Sequence, residues 1–406
     1  MPKIVELLPW KSFLDVHLKK DPGLFPKYLS QEYQLPYEIV FMDADTESST
    51  KIRDIDNYGL ISRINSPTRC KEQPDYIPYP FEDFKNWRIF IKPFINYIWK
   101  NRKSNSHYIL FHNNDNTVVL AFFIKLFNKK AKIWLKMDAN KTNLERKISD
   151  MHRCGGLKAR LKSFAYKKIY RKIDFLSTET EETYSLLKSD PFFSHLNVHK
   201  VPNGLETLPV YENKKENLII SVARFGSHQK NTELLLSSME NVDLKDWKVY
   251  LIGPIEKQEQ DFETYINNFF AKRPDLNDKI IFTGNIKDKK VLDNYYDRAK
   301  VFVLPSRWES FGIASLEAAA FMDYLILTDV GAARDLIPSE TFGYILPESK
   351  QNEQNEELIK KKLTEKLNRI ISGTDKTDSA IEERDEFYQS FLMKKIVCKE
   401  CFKNWI

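Results

Sequence analysis

Two glutamates eight residues apart, Glu309 and Glu317, bracket a stretch that is otherwise small or apolar, RWESFGIASLEAAA (307–320). The run before it, VFVLPS, has the character of a buried strand ended by Pro305 and Ser306. A helix is therefore expected from about Ser310 through Ala320, with Glu309 in the loop before it and Glu317 two turns inside, ~12 Å along the axis. The amides of Ser310, Phe311, Gly312 and Ile313 would be the unpaired donors of its first turn, at the positive end of the helix dipole, where an anion is stabilised. Gly312 lets a ligand approach the backbone closely. A phosphate at this mouth would put Glu309 beside the group beyond it, and Glu317 would accept hydrogen bonds from hydroxyls deeper in the groove. A sugar, a diphosphate and a ribose laid end to end have that order of groups. In the plainer alternative Glu309 caps the helix and Glu317 is a surface acid. Three alanines and Phe321 follow Glu317, however, and leave it little polar face.

SVARFGSHQKN (221–231) places Arg224 and Lys230 on the loop after another apolar run. A planar guanidinium and a compact ammonium there would neutralise a departing diphosphate without a metal ion. A rival pattern is FMDAD (41–45), whose Asp43-x-Asp45 has the form that holds a divalent cation against a diphosphate. It follows a single earlier strand and leads into TESST, so a polar loop is expected there. Cys398 and Cys401 form a lone C-x-x-C, with no second pair nearby to complete four zinc ligands. They fall one helical turn apart on an apolar-spaced face of FLMKKIVCKECFKNWI. Neither a metal site nor a cofactor is expected.

The elements that must carry these residues alternate along the chain. In the first half KIVELL, YEIVFMD, HYILFH, AKIWLKMD and IDFLST read as strands, PDYIPYP as an irregular connection, and FEDFKNWRIFIKPFINYIWKNR as an amphipathic helix kinked by Pro93. In the second half five Val/Ile/Leu-rich runs, NLIISVARF, KVYLIGP, KIIFTGN, KVFVLPS and DYLILTDVG, are separated by helical segments. Continuous apolar strands alternating with helices indicate parallel sheets covered on both faces. Two such halves imply an α/β protein of two facing, doubly wound, Rossmann-like domains, which bind ligands at the carboxyl ends of their strands. The expected domains are 1–205, joined by a last helix at about 388–406, and 216–375.

A chain of 406 residues is long enough for two domains. With 42% hydrophobic and 30% charged residues it has globular composition, and a net charge of +6 does not demand a nucleic-acid partner. The charge is uneven: between Lys125 and Lys172 there are sixteen Lys or Arg against Asp138, Glu145 and Asp150. The segment 157–173 contains no acid and would suit an anionic membrane surface, or be a solvated face that balances acid elsewhere. Four scattered cysteines fit a reducing cytoplasm. The N-terminus lacks the apolar core of a signal peptide, and no run approaches the ~18–20 apolar residues of a span.

Taken together, PSRWESFGIASLE, VARFGSHQK, FTGNIKDKKVLDNYYDRA and TDVGAARDLI resemble the donor domain of the family-4 retaining glycosyltransferases, of GT-B fold. VPNGLE is similar to that family's hinge sequence between domains. The resemblance covers about Asn217 to Ile337 and implies roles for individual residues. Glu309 would contact the donor sugar and Glu317 the nucleotide ribose. Arg224 and Lys230, with amides near Phe311 and Gly312, would hold the diphosphate, and the backbone near Asn285 and Ile286 would touch the base. Ser310 stands where the family often has Gly, and the loop from Arg224 to Lys230 is one residue longer than its commonest form; both bear on which sugar fits. In the first half HLKKDPGLFPKYL resembles the family's glycine-bearing loop and first helix, making Gly23 a candidate for approach to the phosphates. IWLKMDAN occupies the slot of a strand ending near the sugar, so Asp138 is either a polar group at the reaction centre or a cap for the next helix. His112 is a weaker candidate for the same edge.

The resemblance implies a metal-independent, retaining transfer from a nucleoside-diphosphate sugar to a glycan or lipid-linked acceptor, of the kind used in bacterial polysaccharide synthesis. The expected location is the cytoplasm, with peripheral attachment to the membrane through 157–173. Two alternatives stand beside this reading: a sugar-nucleotide epimerase on the same fold, and a non-catalytic sugar-nucleotide or membrane-binding protein.

Overall fold

The computed structural model describes residues 2–9, 15–43, 60–65, 84–152, 155–211, 213–256 and 262–406. The chain forms two compact units, Met1–Glu206 with Phe391–Ile406, and Thr207–Ser390.

The first unit holds a sheet of β1 (Lys3–Leu8), β2 (Tyr37–Asp43), β3 (Leu60–Asn65), β4 (Ser106–Phe111), β5 (Lys132–Lys136), β6 (Phe175–Thr178) and β7 (Val198–Lys200). Its order is β3-β2-β1-β4-β5-β6-β7 and every pairing is parallel. The strands are apolar on both faces because both are covered. Val5, Leu7, Ile133 and Leu135 belong to one core layer, and Ile4, Leu8 and Trp134 to the other. Order reverses at β1, which lies between β2 and β4, so a crevice opens at the carboxyl ends there.

The second unit repeats the plan with β8 (Glu216–Val222), β9 (Lys248–Ile252), β10 (Ile280–Gly284), β11 (Ala299–Leu304), β12 (Tyr324–Thr328) and β13 (Gly343–Leu346). The order is β10-β9-β8-β11-β12-β13, again parallel throughout. β8 and β11 lie side by side, pairing Ile219 with Val301 and Ile220 with Phe302. Their carboxyl ends therefore bring the loop of Arg224 and Lys230 next to the loop of Glu309.

Sequence and structure differ at the edges. β3 and β13 each form one edge of their sheet, opposite β7 and β10, and are not anticipated from composition. LISRIN carries polar Ser62 and Arg63, and GYIL spans only four residues, so neither shows the apolar run of an inner strand. Phe84–Lys100 is one helix with Pro93 inside it. The single terminal helix expected at 388–406 is instead two short helices, Met393–Val397 and Glu400–Trp405, interrupted at Cys398 and Lys399. Cys398 caps the first helix and Cys401 lies in the second, so the pair does not share one helical face.

These two helices bury Met393, Ile396, Val397, Phe402 and Trp405 in the first unit's core. Trp134 is the hub, with ring centroids 5.0 Å from Phe25, 5.3 Å from Phe175, 5.1 Å from Phe402 and 5.8 Å from Trp405. Each such side chain contributes about 1.5–3 kcal/mol by leaving water, which makes the C-terminal return an integral part of the first unit. Of FMDAD, Asp43 ends β2, and Asp45 lies outside the described residues, as does PDYIPYP.

Candidate active site

The helix bearing Glu317 runs from Ile313 to Ala320 and begins three residues later than its sequence suggests. The reason is Gly312, whose φ of 97° is open to glycine and strained for other residues. It takes the cap position, and its carbonyl accepts from the amides of Ser315 (2.9 Å) and Leu316 (3.3 Å). Ser310 and Phe311 therefore lie in the loop, and the first-turn donors facing the mouth are the amides of Ile313 and Ala314. Glu317 is the fifth residue of the helix, just over one turn inside rather than two. Phe311 is buried, and its carbonyl accepts from the Ala332 amide at 2.9 Å, which ties the loop to the turn after β12.

Glu309 is tightly held. One carboxylate oxygen accepts from Lys230 Nζ (2.5 Å) and Ser306 Oγ (2.7 Å); the other accepts from Gln229 Nε2 (3.4 Å). The side chains of Lys230 and Glu309 are only 15% and 11% exposed, so their attraction is poorly screened by solvent. The two loops are also joined through backbone, the Arg307 amide donating to the Gln229 carbonyl at 2.8 Å. Gly331 backs the acid: a Cβ there would meet Glu309 Cβ at 2.6 Å and the Phe311 carbonyl oxygen at 2.8 Å, on a φ of +60°. Arg224 stands further out. Its guanidinium donates to Glu256 (2.9 Å) and Gln229 (3.4 Å), and its side chain is 56% exposed. Both expected cations thus rest on side-chain acceptors of the same edge.

Glu317 is the one half-buried acid of a helix whose Ser315, Leu316, Ala318, Ala319 and Ala320 are buried. Its carboxylate accepts from the Tyr296 hydroxyl at 3.2 Å and pairs with Lys289 Nζ at 3.3 Å. Burial raises the Tyr296 hydroxyl well above its ordinary range, and the charge of Glu317 raises it further. Burial alone would lower the Lys289 ammonium, but Glu317 and Asp293 outweigh it and raise it. Asn285 and Ile286 sit on the loop after β10, Asn285 exposed and Ile286 half-buried, at the same carboxyl edge of the sheet.

In the first unit Asp138 lies two residues past β5, its carboxylate 3.5 Å from His112 Nδ1. His112 follows β4 with φ 64°. Beneath them is a buried charge cluster that sequence reasoning did not single out. Lys136 is fully buried, its ammonium pairing with Asp21 (2.6 Å) and Glu179 and donating to Asn203 (2.8 Å). Burial raises both carboxyls, against the pull of Lys136. Glu6 on β1 is also fully buried, with neither oxygen hydrogen-bonded among the described residues, and burial raises it well above the carboxylate range. Its signal was an acid inside an apolar strand, KIVELL. Gly23 is not in a loop: it is the third residue of the helix Asp21–Tyr33, and its amide already donates to the Lys20 carbonyl at 2.9 Å. A Cβ on it would meet the Leu18 backbone at 2.2 Å, so close packing within the unit requires glycine there.

Each unit is a doubly wound parallel sheet, and the C-terminal segment returns to the first; this is the architecture of the GT-B glycosyltransferases. Residues 209–377 match the model of the family Glycosyl transferases group 1. A lipopolysaccharide core biosynthesis mannosyltransferase of Rhizobium meliloti is 34% identical over 123 residues, 29% of this chain and 34% of that protein. The chain therefore aligns with about a third of the length of that relative. Among solved structures, a sucrose-phosphate synthase from Thermosynechococcus elongatus superposes with a TM-score of 0.67 at 17% identity, over 97% of this chain and 96% of that one. The pneumococcal O-GlcNAc transferase, in complex with UDP and GlcNAc, gives a TM-score of 0.67 at 12% identity, over 100% of this chain and 97% of that one.

Proposed function

We propose that this chain is a retaining glycosyltransferase of lipopolysaccharide or related polysaccharide synthesis. It would take a sugar from a nucleoside-diphosphate donor and pass it to a glycan or lipid-linked acceptor. The observation that carries the reading is the Lys230–Glu309 pair at the mouth of the helix Ile313–Ala320. When a diphosphate enters, the Lys230 ammonium moves from the carboxylate to a phosphate oxygen, and the Ile313 and Ala314 amides meet the same anion. Arg224 exchanges Glu256 for the outer phosphate. As the bond to the anomeric carbon breaks, charge builds on the diphosphate, and cations and dipoles already in place stabilise it. Glu309, freed from Lys230 but still held by Ser306 and Gln229, turns its charge toward the sugar, where oxocarbenium character develops. Glu317 takes the ribose hydroxyls, and the Asn285–Ile286 loop takes the base. The acceptor hydroxyl oxygen bonds the anomeric carbon as the diphosphate leaves, its proton passing to the leaving phosphate oxygen, and Asp138 is proposed as the polar group of the first unit that positions that hydroxyl.

The diphosphate charge is met by side chains in this scheme, so turnover is expected to persist in EDTA. The UDP seen with the pneumococcal transferase supports a nucleotide-sugar donor. No helix among the described residues is long and apolar enough to cross a membrane, and attachment through the basic segment 157–173 is proposed instead. The test is a panel of UDP-, GDP-, TDP- and ADP-sugars read by thermal stabilisation and by nucleoside-diphosphate release with and without acceptor extract. Stabilisation by one donor and acceptor-dependent release support the reading. Deuterium exchange into donor alone, with no transfer, would show an epimerase, and no stabilisation by any donor would sink the site.

A further inference from the structure

The helix Leu157–Tyr170 turns an unusual face to solvent. Leu157, Leu161 and Phe164, spaced on one stripe, are 75%, 59% and 57% exposed. Arg160, Lys168 and Arg171 are exposed around them, and the Lys168 ammonium sits 4.4 Å from the Phe164 ring centre. At the carboxyl end of this helix a cleft of ≈ 470 Å³ is lined by His152, Lys167, Arg171, Phe192 and His195. Lys167 and Arg171 lie over the Phe192 ring, 5.6 and 5.4 Å from its centre. The neighbouring acid, Asp190, is committed internally: one oxygen bonds His152 Nε2 (2.7 Å), and the other accepts from the amides of Phe192 and Phe193 (2.9 Å each). Among the described residues neither Lys167 nor Arg171 pairs with a carboxylate.

We propose that this cleft seats the phosphate of an anionic phospholipid, with Leu157, Leu161 and Phe164 lying in the headgroup–acyl boundary beside it. This rests on the membrane-surface part of the function proposed above and gives it a location and a ligand. Two cations against an aromatic floor, with the nearby acid already occupied, suit a phosphodiester. The apolar stripe next to them argues for a lipid as its source, since a soluble phosphate would leave three large side chains in water. A segment with no acid from 157 to 173 complements an anionic surface.

The test is co-sedimentation of the full chain with phosphatidylcholine vesicles and with vesicles containing about one third phosphatidylglycerol. Wild type is expected to bind the anionic vesicles and not the neutral ones. Each cation near the surface contributes about 1 kcal/mol, roughly fivefold, so K167Q/R171Q should weaken binding about 30-fold. L161Q/F164Q should also lose it. K129Q/K130Q removes the same charge from an exposed turn and should lose markedly less. If K167Q/R171Q loses no more than K129Q/K130Q, the membrane reading stands and the cleft assignment falls. No binding to anionic vesicles overturns both, as does a dimer in sedimentation that L161Q/F164Q dissolves. Protection of Arg171 from phenylglyoxal by inorganic phosphate, without vesicle binding, would mean a soluble anion and not a lipid. Donor stabilisation measured in parallel reports on the catalytic reading separately, since all these variants should retain it.

Discussion

Lys230→Met separates the two duties of one ammonium. In the unliganded chain it leaves Glu309, 11% exposed, with Ser306 and Gln229 as its remaining side-chain partners among the described residues. Breaking a buried pair by removing one member costs about 3–5 kcal/mol, and two surviving hydrogen bonds place the expected loss nearer about 2–3. Adding Glu309→Gln removes the stranded charge and should return most of that stability. Turnover should respond differently. Without Lys230 the developing diphosphate charge loses a preorganised cation, a loss of about 3–4 kcal/mol or roughly 10²–10³ in kcat/KM. The assays are urea unfolding of the three variants and donor turnover with the nucleotide sugar selected by the panel. Stability restored in the double variant while turnover stays low is the expected pattern. Recovery of turnover together with stability, or a single Lys230→Met within threefold of wild type, would refute the argument.

Glu317→Gln should raise the donor KM about tenfold and leave kcat nearly unchanged, because a ribose contact is made equally in ground and transition states; steady-state kinetics decides. Gly331→Ala forces a Cβ toward Glu309 at a left-handed φ and should cost about 1–3 kcal/mol of stability. It should also lower kcat by displacing that acid. The buried Asp323 carboxyl is raised to about 7 from 3.8 by burial, against the pull of Lys215. A raised acid favours the fold below its unfolded value and loses that contribution as pH rises through the folded one. Unfolding titrations should therefore show wild type losing up to about 4 kcal/mol relative to Asp323→Asn between about pH 4 and 7. A constant difference across that range would contradict the assignment.

How much was legible in the sequence depended on how locally each feature was encoded. The inner strands announce themselves because both faces are covered, so KVFVLPS and NLIISVARF are apolar without alternation. β3 and β13, at the edges, carry no such signal. Glu309, Lys230 and Glu317 could be nominated from spacing, since short loops after adjacent strands leave few places for them. Their partners could not. Gln229 reaches Glu309 through the β8–β11 adjacency, Gly331 backs it from the turn after β12, Ser306 bonds it from three residues away, and Tyr296 and Lys289 reach Glu317 from the helix Lys289–Arg298. Lys136, Asp21, Glu179 and Glu6 come from four separate segments, and the one local signal among them, an acid inside the apolar run KIVELL, does not by itself point to a cluster. The helix start was misplaced because Gly312 supplies a left-handed cap, which a glycine permits without declaring.

The most direct test is a crystal structure with the nucleoside diphosphate of the donor that stabilises the chain. Lys230 Nζ should leave Glu309 and lie within about 3 Å of a phosphate oxygen, with the anion against the Ile313 and Ala314 amides. A diphosphate bound elsewhere, with the Lys230–Glu309 contact unbroken, would contradict the account.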